Sequence, residues 1–179
     1  MKTLPAFFPA LALAGVLLAA PAAAADAGRT PAPAWQLKDL DGRVVSSGQF
    51  KGKVVVLDFW ATWCGPCRTE IPGYVALQKK YAADGLVVIG VSVDQGGPAV
   101  VRQFVADEKI DYPIVLADDR IAGAFGGVDA IPTTFIIDRD GMIRYRKIGT
   151  MPAEAFEEIL KPILREARPA APVNPGSGG

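Results

Sequence analysis

Histidine is absent from the chain, and cysteine occurs only twice. The first absence excludes His-based acid–base catalysis, His-dependent metal sites and Cys–His nucleophile pairs. The second leaves a zinc site short of its four ligands, because no second Cys-x-x-Cys unit exists. An excess of charge is also missing: 19 Lys and Arg balance 19 Asp and Glu, for a formal net charge of zero. With no basic stripe, neither nucleic acid nor an anionic membrane surface is indicated as a partner. No internal repeat is evident. The chemistry therefore falls to thiols, carboxylates and the backbone.

A long apolar run is present at the start. Lys2 precedes an apolar stretch from about Phe7 to Ala20, and small residues follow at Ala22 to Ala25. That layout is expected of a secretory signal over residues 1–25, cleaved near Ala24 to Asp26. No charge interrupts Pro5 to Ala25, about the ~20 residues that cross a bilayer, so an uncleaved anchor facing the periplasm is the alternative. Both readings make the rest of the chain exported. Residues 26–34 read as a flexible leader, and residues 168–179, rich in Pro, Gly and Ala, as a disordered tail. Residues 35–167 are expected to form one domain, monomeric and long enough to bury a core without disulfide staples.

Within that domain, Trp35 to Ser46 gives two short extended pieces around Asp41-Gly42, a hairpin signal. The apolar run 52–60 predicts a central strand buried on both faces. A helix is expected from Pro66 to about Tyr81, with Ile71, Val75 and Leu77 to Lys80 forming its apolar and charged faces and Pro72 kinking it. A second buried strand spans 85–94. A helix follows over 97–109, with Val101, Phe104 and Val105 on one face. A short strand at 112–118 leads to a short helix that stops at Gly126-Gly127. Strands at 132–138 and 142–149 flank Asp140-Gly141, a second hairpin signal. The last helix, 151–167, is expected to turn Ala155, Phe156, Ile159, Ile163 and Leu164 inward. The order argues for an α/β domain with a mixed sheet between helices.

Both cysteines fall within residues 58–68, DFWATWCGPCR. An exported compartment favours a structural disulfide. Yet a bridge across two residues closes a tiny loop, and the entropic benefit of a cross-link grows with loop size. A redox pair accounts for the spacing. Cys64 ends a strand-to-helix connection, where free backbone N–H groups and the helix dipole stabilise a thiolate. Cys64 is then the attacking nucleophile, and Cys67, one turn later, resolves the mixed disulfide. Gly65 lets the chain approach closely and Pro66 sets an early-helix φ. Asp58 lies in the apolar run, where an unpaired carboxylate is costly and keeps its proton to a raised pKa. It is expected to accept the proton of Cys67; the alternative is a strand-end acid that reaches water.

The stretch 55–68, VVLDFWATWCGPCR, resembles the active-site strand and loop of thioredoxins. Pro72 matches the helix-kinking proline of that family, and AIPTTFIID resembles its cis-proline loop. The N-terminal hairpin, the extra segment 109–130 and Glu70 in CRTEIP are similar to the exported TlpA/ResA-like branch. The resemblance implies a thioredoxin fold with an N-terminal hairpin extension and a central strand/helix insertion. It also implies a groove for protein disulfide or thiol substrates formed by Trp63, Gly65, Pro66, Ile131, Pro132 and Gly149. Glu70 would lie close to the disulfide and tune its proton chemistry; the alternative is a solvated acid favoured near a helix N-terminus. Thioredoxins carry a lysine near the buried acid, whereas the corresponding stretch here has Gly90. Asp58 is therefore expected to lack a neighbouring cation and to ionise less readily.

The resemblance further implies no metal and no cofactor beyond the Cys64–Cys67 disulfide. It implies a reductant of protein disulfides, recharged by a membrane electron donor of the DsbD/CcdA kind. Apocytochrome c, copper-site proteins and other exported thiol proteins are the implied targets. One rival is a peroxiredoxin-like peroxidase, whose cysteine follows a threonine by three residues and a proline by seven. Here those positions are Ala61 and Leu57. A protein-disulfide oxidase or isomerase is a second rival. A non-catalytic docking module would not need Cys64, Cys67 and Asp58 together.

Overall fold

In the computed structural model, which describes residues 29–166, the expected central strand forms β4 (Val54–Trp60), with all seven residues buried. Before it come β1 (Thr30–Pro31), β2 (Gln36–Asp39) and β3 (Val44–Ser46), the last two paired antiparallel around Asp41-Gly42. After it follow α1 (Gly65–Tyr81), β5 (Leu86–Ser92), α2 (Pro98–Asp107), β6 (Ile114–Leu116) and α3 (Ile121–Ala124). The hairpin β7 (Thr133–Ile137) and β8 (Met142–Ile148) and the helix α4 (Ala153–Arg165) close the domain. The residues expected as signal and tail lie outside the described residues. No helix of the described residues is long and apolar enough to cross a membrane.

One eight-stranded sheet runs β1-β8-β7-β4-β5-β6-β2-β3, with β4, β5 and β6 parallel and the remaining pairs antiparallel. Alternation along β4 divides the core between the two faces. Val54, Val56 and Trp60 pack beneath α1, α2 and α4, in a cluster with Ile71, Tyr74, Val101, Phe156 and Leu160. Val55, Leu57 and Phe59 face the other way, toward α3 and the N-terminal segment, with Trp35, Ile121 and Phe125. This is the layered α/β arrangement expected from the order of elements.

Two expectations change. The leader is not wholly free, because Thr30 and Pro31 pair with Ile143 and Met142, and the Ala32 N–H bonds the Gly141 carbonyl. The unused edge of β8 offers backbone groups that a short segment can satisfy. In α4, Ala155 is exposed and Leu160 is buried in its place. The inner stripe follows Phe156, Leu160, Ile163 and Leu164, the i, i+4, i+7, i+8 series of one helix face.

Gly90 shows how tightly β5 is packed. A Cβ there would lie 2.6 Å from Ile114 Cδ1 and 2.7 Å from Trp60 Nε1. Both neighbours are buried, so neither has room to move away. Gly90→Ala is expected to destabilise the domain by about 1–3 kcal/mol, the usual cost of overpacking. Denaturant midpoints at an unchanged m-value would register that loss, and an unchanged midpoint would contradict the packing argument.

Candidate active site

Beyond β4 the chain turns sharply into α1, and local hydrogen bonds define the turn. The Thr62 N–H (3.2 and 3.0 Å) and hydroxyl (2.6 Å) donate to the Asp94 carboxylate, which also accepts from the Ser92 hydroxyl at 2.9 Å. The Val93 N–H bonds the Trp60 carbonyl, so the end of β5 holds the loop that carries Trp63. Cys64 is the N-cap of α1. Its sulfur accepts the Cys67 N–H at 3.2 Å, taking up one of the N–H groups that every helix start leaves unpaired. A thiolate at this position would gain from the same donor and from the helix dipole.

Cys64 and Cys67 form a disulfide with Cα atoms 5.3 Å apart. Cys67 is 1% exposed and Cys64 5%. Gly65 and Pro66 lie exposed between them, and Trp63, at 70% exposure, projects from the loop. Pro72 lies inside α1 as expected. Just before β7, the Ile131–Pro132 peptide is cis. Ile131 packs against the core cluster that contains both cysteines. The Pro132 carbonyl accepts the Gly149 N–H at 2.8 Å, and Gly149 adopts φ +80°, a conformation that suits glycine. Ile148, beside it, is 62% exposed. Trp63, in the loop before the pair, and Ile148, at the end of β8, are thus large apolar side chains left in solvent.

Asp58 is buried, at 3% exposure. Its Oδ1 accepts the Thr134 hydroxyl at 2.7 Å, and Thr134 Oγ1 lies 3.0 Å from the Tyr74 hydroxyl on α1. Burial pushes the carboxyl up from 3.8 to about 7, against the Thr134 hydrogen bond and the Lys147 charge, which favour ionisation; the Glu70 charge adds to the rise. The expectation of a buried acid with a raised pKa therefore holds, and the alternative of a strand-end acid in water does not.

The expectation that this acid lacks a cation is overturned. Gly90 does stand opposite Asp58 on β5, but the cation arrives from the strands on the other side of β4. Thr134 pairs with Asp58 and Lys147 pairs with Thr134, so the three share one face of adjacent strands. Lys147 is buried, and its ammonium donates to Glu70 Oε1 at 2.5 Å, Glu70 Oε2 at 2.7 Å and the Gly149 carbonyl at 2.7 Å. Glu70 Oε1 also accepts the Met151 N–H at 3.0 Å. Glu70 is consequently a buried, fully partnered carboxylate rather than a solvated one.

A cleft of about 280 Å³ between α1 and the start of α4 is lined by Glu70, Gly73, Tyr74, Met151 and Phe156. It brings solvent to the edge of the buried polar group. Among the described residues, no cluster of three or more Cys, Asp and Glu is arranged to hold a metal ion. Thr134, Tyr74, Asp94 and Lys147 escaped sequence reasoning. Threonine and tyrosine in apolar runs read as ordinary strand and helix residues, and Lys147 sits in a segment rich in basic residues.

Comparison with known proteins agrees with this geometry. Residues 29–146 match the model of the AhpC/TSA family. The chain is 36% identical over 133 residues to the thiol-disulfide oxidoreductase ResA of Bacillus thuringiensis (strain Al Hakam), covering 74% of this chain and 76% of that one. It is 40% identical over 131 residues to the thioredoxin-like protein YneN of Bacillus subtilis (strain 168), covering 72% and 76%. Among solved structures, it is similar to a thiol:disulfide interchange protein of the thioredoxin family from Chlorobium tepidum TLS. That likeness has a TM-score of 0.71 and 36% identity, and covers 78% of this chain and 99% of the other. With a thioredoxin-like sheet, a Cys-Gly-Pro-Cys disulfide at a helix N-terminus and these relatives, the chain belongs to the AhpC/TSA family and is a thiol-disulfide oxidoreductase of the ResA-like kind.

Proposed function

We propose that this protein is an exported reductase of protein disulfides. The observation that carries the reading is the placement of the pair: Cys64 caps α1, Cys67 is buried behind it, and the dipeptide between them is Gly65-Pro66. In the reduced protein the Cys64 thiolate attacks a substrate disulfide, forming a mixed disulfide and releasing one substrate thiolate. Cys67 then attacks the Cys64 sulfur and expels the second thiolate. Two electrons pass to the substrate, and the Cys64–Cys67 disulfide remains. The Cys67 proton must leave as that thiol becomes a nucleophile, and Asp58, lifted to about 7, is poised to take it near neutral pH.

The apolar Trp63, Ile131, Pro132 and Ile148, with the backbone at Gly65, Pro66 and Gly149, supply the docking groove. The direction is argued from the dipeptide. Thioredoxin shares Gly-Pro and lies near about −270 mV, whereas the oxidant DsbA lies near about −120 mV; at about 30 mV per 1.4 kcal/mol, the gap is roughly 7 kcal/mol. The N-terminal signal pattern supports export. An exported reductant needs electrons from the membrane, which points to a donor of the DsbD/CcdA kind. Disulfides of apocytochrome c or copper-site proteins are suitable targets.

The reduction potential of Cys64–Cys67 in the mature chain is expected to lie near that of thioredoxin, and a value near or above about −150 mV would assign an oxidase or isomerase instead. Cys67→Ser is expected to trap mixed disulfides with its targets in whole cells, which mass spectrometry of the adducts would identify.

Asp58→Asn provides two independent readouts. Thiol exchange should lose its inflection near pH 7 and slow by about 10²-fold, the lower end for general-base catalysis; an unchanged profile would remove Asp58 from the proton step. The same substitution should stabilise the oxidised fold. The folded state keeps the Asp58 proton where the unfolded chain has lost it, so wild-type stability falls as pH rises from about 4 to about 7. Lifting the carboxyl from 3.8 to about 7 corresponds to about 4 kcal/mol at about 1.4 kcal/mol per pH unit, an upper bound on the gain at pH 8 relative to pH 4. Urea titrations at the two pH values measure it.

A further inference from the structure

We propose that Lys147 is a positioning residue of the dithiol site: its buried ammonium clamps Glu70 of α1 to the turn after β8 and supplies the cation of the strand row that contains Asp58. The inference rests on the reading of Asp58 as proton acceptor for Cys67.

Three observations carry it. First, Lys147 is the only buried cation among the described residues, with its side chain 3% exposed against 7% for Glu70. All three of its N–H donors are engaged, two by Glu70 and one by the Gly149 carbonyl. Secondly, a register shift in the β7–β8 pairing leaves Ile143 against Ile137 and Tyr145 against Ile136. Tyr145 and Lys147 thereby face α1 and α4, on the side of Thr134 and Asp58. Thirdly, β5 has no room for a cation, because a Cβ at Gly90 already meets Ile114 and Trp60 below 3 Å. The positive charge that does act on Asp58 comes from Lys147 on β8.

The pair is poorly explained as a stability element. A buried ion pair is often matched or exceeded in stability by apolar residues of similar volume, whereas removal of one partner is severe. Its effect on Asp58 is directional. The Lys147 charge favours the Asp58 carboxylate, the Glu70 charge opposes it, and the lysine effect is the larger. Tyr74 and Tyr112 also lie within reach of the Asp58 charge, but burial pushes their hydroxyls well above the ordinary range, so they stay neutral. Thr134 adds a hydrogen bond without charge. Lys147 and Glu70 are the charges left to set when Asp58 can take a proton. The same clamp touches the substrate side, since Gly149, which Lys147 holds by its carbonyl, donates its N–H to Pro132.

The test is a direct titration of the Asp58 carboxyl carbon by NMR in the full oxidised chain, alongside the pH profile of thiol exchange. Lys147→Met is expected to move the Asp58 midpoint up by about one pH unit or more, the scale for loss of a neighbouring opposite charge. Glu70→Gln should move it down, and the double substitution should fall between the two. A packing role alone cannot yield shifts of opposite sign, so midpoints that stay put or move together would overturn the proposal. If Lys147→Met fails to fold, Glu70→Gln alone decides: a midpoint that does not fall refutes the assignment. If the midpoints move as expected but the exchange profile does not follow them, the proton role of Asp58 is lost, and the positioning role of Lys147 at the dithiol falls with it although its charge still sets the Asp58 midpoint.

Discussion

Asp58 is the fifth residue of a strand whose seven residues are all buried, and its carboxyl cannot reach bulk water. An isolated carboxylate in such a place would cost far more than a small domain can spare, so the group either keeps its proton or gathers partners. This protein does both. Burial holds the proton up to about pH 7, while the Thr134 hydroxyl and the Lys147 charge limit the rise. The polar side chains beneath α1 follow from this constraint: Thr134 and Tyr74 complete a hydrogen-bond chain, and Lys147 requires Glu70.

The same strand delivers the thiols. β4 runs from the buried acid to Trp60, and four residues later Cys64 caps α1. A strand-to-helix turn of this kind leaves helix N–H groups pointing at the sulfur, and Asp94 fixes the turn through Thr62. The acid thus lies inside the sheet, under the helix whose first turn carries the pair. Tyr74 and Phe156 pack edge to face, 5.6 Å between ring centroids, and join α1 to α4 over this region. Rigid elements therefore hold the cysteine pair and the buried acid, while Trp63 and Ile148 stay exposed.

Most of the fold was legible because its signals are local. Apolar runs marked β4 and β5, Asp-Gly pairs marked both hairpins, and the stripe of α4 was misread only in choosing Ala155 over Leu160. The cysteine pair was legible for a related reason: spacing, a helix start and the absence of histidine leave few chemistries. Glu70 was found, although its environment was not. Lys147 was missed because strict alternation along β8 would put it on the same face as Ile143. The register shift between them moves it to the opposite face, and a one-residue change in pairing inverts every side chain beyond it.

By itself, the sequence determined the class of fold, the Cys64–Cys67 chemistry and the burial of an acid at Asp58, since each depends on residue type and short-range order. Tertiary structure alone decided which charges surround that acid. Gly90 excludes a cation from β5 because Ile114 and Trp60 fill the space, and the β7–β8 register brings Lys147 in from the far side. Electrostatics inside a sheet depends on which strands become neighbours and on which face each side chain emerges, and those are properties of pairing across the chain.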